Sequence, residues 1–286
     1  MSLRRSGWIS WGGACCALAG LAFVQSVRAA ETEWSQGFNS RTRLYSASAE
    51  RDGKRAAYAF VEVAMPAGWK TYWRNPGDAG GLPPRFDWSK SENLSSATVL
   101  YPAPKRLTDE AGDTIGYKDH VTFPVEVVAK DASKTVRLAL NMSFGICKDI
   151  CVPSEAKHVL ELAPGEAPEA SGAMLEALQH VPRVDGQRRP GDPELKRAVL
   201  DAGAAKPKLV LEATFPGGVD GADMFIEAPD GLYVPMPAKV ESASGDTQVF
   251  EAELGSALEP KDLKGKTLTV TLVSARGQSV ATFKIE

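Results

Sequence analysis

The sequence predicts an all-β protein with two antiparallel β-sandwich domains joined by a short helical linker. In both halves apolar residues alternate with small or polar ones, as in residues 59–63 and 135–140. This period of two is typical of half-buried strands. Turn-forming pairs such as Asp52-Gly53 and Asp230-Gly231 separate the segments. Many short strands separated by turns favour sandwiches over a parallel sheet flanked by helices.

The composition is that of an ordinary globular protein. The chain has 286 residues, of which 43% are hydrophobic and 24% are charged, so collagen-like and wholly disordered chains are excluded. The formal charge of -3 argues against a basic surface for nucleic acid, and no nucleic-acid partner is expected.

Residues 1–29 have the features of a signal peptide. Arg4 and Arg5 precede an apolar run at 12–24, and Val27-Arg28-Ala29 fits the small-residue rule for cleavage after Ala29. The alternative is an uncleaved anchor, but the run is shorter than the about 20 apolar residues that span a bilayer. We therefore expect an exported, soluble protein with no transmembrane segment after cleavage.

The first predicted domain covers residues 30–163. Apolar alternation and turn signals predict its strands at 42–47, 57–65, 97–101, 121–128, 136–143 and 157–162.

Residues 164–205 are predicted to form the linker. Met174, Leu178 and Val181 lie at helical spacing, which predicts one short helix over 171–181. The second, smaller sandwich is predicted over 206–286, with strands at 209–213, 223–227, 248–254, 267–273 and 280–285.

Cys147 and Cys151 are the two cysteines that would remain after Cys15 and Cys16 leave with the signal peptide. A strand pattern leads into the pair and Pro153 follows it, so a tight turn is predicted rather than a helix. Opposed residues of an antiparallel pair lie about 4.5 Å apart at Cα, close enough for a disulfide. An oxidising compartment makes that bond available.

A disulfide that closes such a short loop contributes little to the stability of the fold. Closing a loop of five residues contributes about 2 kcal/mol, against about 4.7 kcal/mol for a loop of 100 residues. The spacing therefore favours thiol-disulfide exchange, with Cys147 expected to be the more accessible thiol. The alternative is a non-enzymatic binding module whose disulfide is structural.

A second alternative is a copper-handling protein. Cys147, Cys151 and His158 form a C-x3-C-x6-H pattern, and thiolates suit Cu(I) or zinc. A closed zinc site needs four ligands, and His158 alternates along a predicted strand as a surface residue would. We therefore expect no metal and no other cofactor.

Four motifs in order resemble one known family. GWKTYWRNPGD at 68–78, GLPP at 81–84, IGYKD at 115–119 and the segment 147–153 resemble the periplasmic N-terminal domain of the thiol:disulfide interchange protein DsbD, and are similar to its ScsB-like, copper-sensitivity-suppressor branch. The resemblance spans about residues 35–163. It implies an immunoglobulin-like fold, a periplasmic location, and a thiol-disulfide oxidoreductase of the disulfide reductase type.

The resemblance also assigns residues. Cys147 and Cys151 match the redox pair of the family, although DsbD itself has five residues between its cysteines and this chain has three. Tyr72 matches an aromatic residue beside the pair. The segment 107–113 falls where the family has an acidic cap loop, with Leu107 in place of the cap's aromatic residue. The sites expected near the sulfurs are Tyr72, Leu107, Asp109, Glu110 and Phe144.

The implied partners are thioredoxin-like or disulfide isomerase-type periplasmic proteins. Since the chain has no counterpart of DsbD's membrane and C-terminal domains, a separate membrane electron donor is also expected. The family further links such chains to cytochrome c biogenesis and copper tolerance.

Overall fold

The computed structural model describes residue 1 and residues 31–110, 112–240, 245–255 and 258–286. The predicted signal peptide lies outside these residues, apart from Met1. In the part of the chain that is described, no helix is long and apolar enough to cross a membrane.

The first sandwich consists of two facing sheets. The strands of one sheet are β1 (Ser35–Gly37), β2 (Ser40–Arg51), β3 (Lys54–Ala64), β6 (Leu94–Val99) and β9 (His120–Ala129). Those of the other are β4 (Lys70–Tyr72), β5 (Arg85–Asp87), β7 (Lys105–Asp109), β8 (Gly112–Lys118), β10 (Val136–Cys147) and β11 (Cys151–Leu162). Their orders are β1-β2-β3-β9-β6 and β11-β10-β4-β8-β7, with β5 paired to β10. Every strand predicted from the pattern within 30–163 overlaps one of these strands.

The core of this sandwich lies between the two sheets. Val61 and Phe123 from one sheet pack with Leu138 and Ile146 from the other, and all four side chains are fully buried. Alternation along each strand sends one set of side chains into this layer and the other set outward. The outward set of the β10 sheet carries the site described below.

The predicted helix forms and packs on the outer face of the β2–β3 sheet. Helix α1 (Ala173–Gln179) contributes Leu178 to a second apolar cluster with Tyr45, Tyr58 and Phe60. The helix therefore covers a sheet face that would otherwise be exposed to water.

The second sandwich also has two sheets. Its elements are β12 (Arg183–Val184), β13 (Glu194–Asp201), β14 (Lys208–Thr214), β15 (Asp223–Glu227), β16 (Ala238–Lys239), β17 (Thr247–Glu253), the short helix α2 (Pro260–Leu263), β18 (Thr267–Val273) and β19 (Gln278–Lys284). The sheet orders are β12-β19-β18-β15 and β13-β14-β17-β16. The β12–β19 pair is parallel, and the other strand pairs of the described residues are antiparallel. The prediction of an all-β, antiparallel sandwich fold is confirmed.

Two strands lie within the segment 164–205, for which the sequence predicted only a linker with a helix. Strand β13 pairs with β14 along its length, and β12 adds to the edge of β19. β12 is two residues long and β13 is an edge strand with mostly exposed or half-buried residues. Neither therefore has the apolar alternation by which a strand is recognised in sequence.

The two sandwiches contact each other through β15 and the segment that follows β4. The Trp73 and Phe225 rings lie 5.9 Å apart between centroids. Arg74 forms two hydrogen bonds of 2.7 and 2.6 Å with the Glu227 carboxylate. Phe225 and Met236 join the core of the first sandwich, so the second sandwich is packed against it rather than merely tethered.

Candidate redox site

The site lies at the end of a long hairpin formed by β10 and β11. The two strands stay in register from Val136 opposite Leu162 to Cys147 opposite Cys151. The tip consists of Lys148-Asp149-Ile150, and the Lys148 N–H donates to the Ile150 carbonyl over 3.1 Å. The predicted tight turn is therefore present, and it places the two cysteines opposite each other.

Cys147 and Cys151 are bonded as a disulfide, with their Cα atoms 4.2 Å apart. Cys147 is 0% exposed, whereas Cys151 is exposed. The expectation that Cys147 is the more accessible sulfur is wrong. Strand β10 is covered by β4 through the pairing of Cys147 with Lys70, while β11 is the edge strand of the sheet.

Tyr72 touches both sulfurs, as expected. Its hydroxyl oxygen lies 3.0 Å from Cys147 Sγ and 3.0 Å from Cys151 Sγ. Burial is the larger cause that raises the pKa of the Tyr72 phenol, and the negative charge of Asp109 raises it further. The phenol therefore stays protonated at neutral pH and can donate a hydrogen bond to either sulfur.

Two glycines make the slot in which the Tyr72 ring lies. A Cβ atom on Gly81 would lie 2.3 Å from the ring, and one on Gly145 would lie 3.1 Å from the ring and 2.9 Å from Leu82 Cβ. Side chains at these two positions would displace the phenol from the disulfide. Both glycines are visible in the sequence, but their role depends on a contact between distant segments.

In the segment 107–113, predicted as a cap loop, the described residues lie in the paired strands β7 and β8 or, for Glu110, in the turn after β7. Their register pairs Leu107 with Thr114 and Asp109 with Gly112. Asp109 is linked to the site by Lys70, which lies opposite Cys147 and whose ammonium donates to the Asp109 carboxylate over 2.5 Å. Leu107 is half-buried beside Thr114, and Glu110 is exposed in the turn. The carboxylate that reaches the site is therefore that of Asp109.

Phe144 does not share the face of the sheet on which the disulfide lies. It is three residues before Cys147 on β10, and side chains on a strand alternate between faces. Phe144 is buried in the core between the two sheets. It therefore lies on the other face of β10 from the disulfide, and its expected approach to the sulfurs stays a prediction.

An apolar rim, defined here as Phe38, Trp69, Leu82 and Ile150, was not predicted from the sequence. Ile150 at the hairpin tip is 64% exposed, and Phe38 and Leu82 are also exposed. Phe38 and Trp69 form an edge-to-face pair at 5.6 Å, and the Gly145 N–H donates to the Leu82 carbonyl over 2.9 Å. Exposed apolar side chains near a reactive bond are typical of a surface that docks another protein.

His158 lies inward, not on the surface. Its Nδ1 is 3.0 Å from the Thr32 hydroxyl and its Nε2 is 2.8 Å from the Thr42 hydroxyl. Burial lowers the pKa of this imidazole, so it is neutral at pH 7. Both ring nitrogens are engaged by hydroxyls. Across the described residues, no group of three or more histidine, cysteine or acidic side chains is arranged to hold a metal ion.

Comparison with known families bears on the same residues. Residues 41–163 match the family model for the N-terminal part of the thiol:disulfide interchange protein DsbD. The chain contains a DsbD N-terminal-like domain. This match covers the hairpin, Tyr72 and the β7–β8 segment, and it confirms the resemblance seen in the sequence motifs.

The DsbD N-terminal-like domain and the second sandwich together share their fold with a solved structure. The crystal structure of the N-terminal periplasmic domain of ScsB from Proteus mirabilis superposes with a TM-score of 0.66 at 20% sequence identity. The match covers 90% of this chain and 99% of that one. Among curated proteins, no significant sequence match was found.

Proposed function

We propose that the DsbD N-terminal-like domain passes electrons between periplasmic redox proteins through the Cys147–Cys151 disulfide. The observation that carries the proposal is the unequal exposure of the two sulfurs. Cys151 is exposed at a sheet edge, whereas Cys147 is buried beside Tyr72. A bond with one accessible sulfur and one sheltered sulfur directs attack to a single atom.

The exchange proceeds in two steps. A thiolate of the reduced partner attacks Cys151 Sγ, the bond to Cys147 Sγ breaks, and Cys147 leaves with the electron pair as a thiolate. A second thiolate of the partner then attacks the partner's first sulfur, which is bonded to Cys151 in the mixed disulfide, and Cys151 is released as a thiolate. The partner is oxidised to its disulfide, and the pair in this chain is reduced to two thiols. The reverse sequence, begun by Cys151, delivers the two electrons to an acceptor disulfide.

The proposed partners are thioredoxin-like or disulfide isomerase-type proteins. A separate membrane electron donor is proposed to supply the electrons. The apolar rim supports a protein partner, because Ile150 at the hairpin tip and Leu82 beside the Tyr72 slot are exposed apolar side chains that lose water contact on docking. Export to the periplasm, required for these encounters, is part of the same proposal and rests on the predicted signal peptide.

The proposal is tested by the redox equilibrium of the pair. The protein, with Cys15 and Cys16 replaced by serine, is equilibrated in glutathione buffers and its free thiols are counted. We expect a reduction potential above about -300 mV, since structural disulfides lie below that value. A pair that stays oxidised throughout the glutathione range would support a structural disulfide instead.

The direction of attack is tested with two matched variants. In Cys147→Ser only Cys151 remains, and in Cys151→Ser only Cys147 remains. We expect oxidised glutathione to form a mixed disulfide at least about tenfold faster with Cys147→Ser, because its thiol is the exposed one. Equal rates would contradict the assignment of Cys151.

A further inference from the structure

Lys70 is a buried cation next to the sheltered sulfur. Its side chain is 10% exposed, although lysine is seldom buried without a partner. It lies on β4 directly opposite Cys147 on β10. Opposed residues on adjacent antiparallel strands project to the same face, with Cβ atoms about 4.5–5.5 Å apart. The ammonium group therefore belongs to the same side of the sheet as the disulfide.

Two side chains of the β7–β8 hairpin hold the ammonium in place. It donates to Asp109 Oδ2 over 2.5 Å and to Thr114 Oγ1 over 2.9 Å. Asp109 is also close enough to Tyr72 to raise the pKa of its phenol. Since the Tyr72 hydroxyl lies 3.0 Å from both sulfurs, the cation, the carboxylate, the phenol and the disulfide form one cluster.

The oxidised pair carries no charge, so in this state the positive charge of Lys70 is balanced by Asp109. Opening the disulfide changes the balance, because Cys147 leaves as a thiolate. This sulfur is fully buried, and a buried anion without a counter-charge is strongly disfavoured. Water cannot supply the stabilisation at that atom, and Lys70 is the cation that faces it across the strand pair.

We propose that Lys70 is a positioning residue for electron exchange: its ammonium stabilises the negative charge on the Cys147 leaving group when the disulfide opens. This inference rests on the proposed function. The S–S electron pair goes to Cys147 Sγ, the Tyr72 hydroxyl donates a hydrogen bond to it, and Lys70 supplies the counter-charge. Asp109 competes with the thiolate for the same ammonium. Lys70 and Asp109 therefore have opposite effects on the thiolate.

The test follows the thiolate itself in the reduced protein. All variants carry Cys15→Ser and Cys16→Ser, and Cys151→Ser isolates the Cys147 thiol. The rate of alkylation by iodoacetamide, which reacts with the thiolate and not with the thiol, is then measured as a function of pH. In Lys70→Met we expect the pH midpoint of thiolate formation to rise by at least about one pH unit, because an opposite charge within about 4–6 Å of an ionisable group shifts its midpoint by about one to three units. Lys70→Arg keeps the charge and should restore most of the change.

Asp109→Asn tests the same idea with the opposite sign. It leaves Lys70 in place and removes the competing carboxylate, so the midpoint should fall. This variant changes an exposed residue of the hairpin, and it keeps the proposal testable if Lys70→Met does not fold. Lys118→Met is the matched control. Lys118 pairs with Lys70 on β8 but is exposed, and its loss should move the midpoint by less than about 0.3 pH unit because water and salt screen its charge.

A second readout connects the midpoint to exchange. In the two-cysteine background, Lys70→Met should slow opening of the disulfide by dithiothreitol about threefold or more, since a less acidic thiol leaves more slowly. If the disulfide of the wild type opens normally but the midpoints in Lys70→Met and Asp109→Asn are both unchanged, the inference about Lys70 is overturned. A wild-type pair that never opens would instead overturn the proposed function.

Discussion

At the scale of single residues, function at this site depends on small groups in close contact. Tyr72 lies in a slot whose walls are the backbone at Gly81 and Gly145, and its hydroxyl is fixed at equal distances from the two sulfurs. The two cysteines differ in exposure, and Cys147 belongs to an inner strand whereas Cys151 belongs to an edge strand. Even one added methyl group at either glycine would therefore press on the Tyr72 ring.

Gly145→Ala is expected to destabilise the protein. The added methyl would lie 2.9 Å from Leu82 Cβ and 3.1 Å from both the Leu82 carbonyl oxygen and the Tyr72 ring. Overpacking of this kind costs about 1–3 kcal/mol in the free energy of unfolding, measured by urea denaturation. Gly255→Ala is the control, since nothing lies within 4 Å of its added atom, and it should change the value by less than about 0.5 kcal/mol. An equal effect of both variants would contradict the slot.

His158 should make stability depend on pH. Burial lowers the pKa of its imidazole in the folded protein, while in the unfolded chain the pKa is about 6.5. Below about pH 6.5 the unfolded chain therefore binds more protons than the folded one, and the free energy of unfolding falls as the pH falls towards the folded pKa. Above pH 6.5 this contribution is fully present.

The variant His158→Gln removes the titration and keeps an amide for the two threonine hydroxyls. We expect its free energy of unfolding to change less between pH 7.5 and pH 5.5 than that of the wild type. His180→Gln, at an exposed position, should keep the wild-type slope. A His158→Gln slope as steep as the wild type would show that other groups cause the dependence.

At the scale of elements, the β10–β11 hairpin is held together by strand pairing and core packing as well as by the disulfide at its end. Twelve residue pairs hold the two strands together, ending with the cysteines, and side chains from both strands enter the core. The covalent bond closes only a short turn at one end. An exchange domain needs this arrangement, because it must present the same surface to partners in both redox states.

Reduction is therefore expected to leave the first sandwich folded. Loss of the bond should lower the free energy of unfolding by about 2 kcal/mol, against a total of about 5–15 kcal/mol for a typical domain. Near-ultraviolet circular dichroism, recorded with thiol content across the same glutathione buffers, checks this. Loss of the tertiary signal in step with thiol appearance would contradict it.

At the scale of the whole molecule, the second sandwich contacts segments of the first sandwich that lie next to the redox site. Arg106, on strand β7, donates to Asp223 over 3.1 and 3.0 Å and to the Pro237 carbonyl over 2.7 Å. Arg74, two residues after Tyr72, is paired with Glu227. Both acidic partners belong to strand β15 or its end, so one edge of the second sandwich contacts the two segments that flank the disulfide.

The double variant Asp223→Ala, Glu227→Ala should uncouple the two sandwiches. It removes the carboxylates that pair with Arg74 and Arg106 across the interface, and calorimetry should then resolve two unfolding transitions in place of one. Glu251→Ala is the control, because its partly exposed pair with Lys208 lies within the second sandwich. One unchanged transition in the double variant would contradict a coupling role for β15.

The sequence by itself determined the fold class, the longer strands, the short helix and the turn that joins the two cysteines. These depend on local alternation, spacing and turn chemistry, which act over a few residues. Only the tertiary structure decided that Cys151 is the exposed sulfur, that Phe144 faces the core, and that Lys70 and Asp109 meet beside the disulfide. Alternation shows that side chains on a strand point to two faces. Which strand lies at an edge, and which distant segment covers a face, follows from packing of the whole chain.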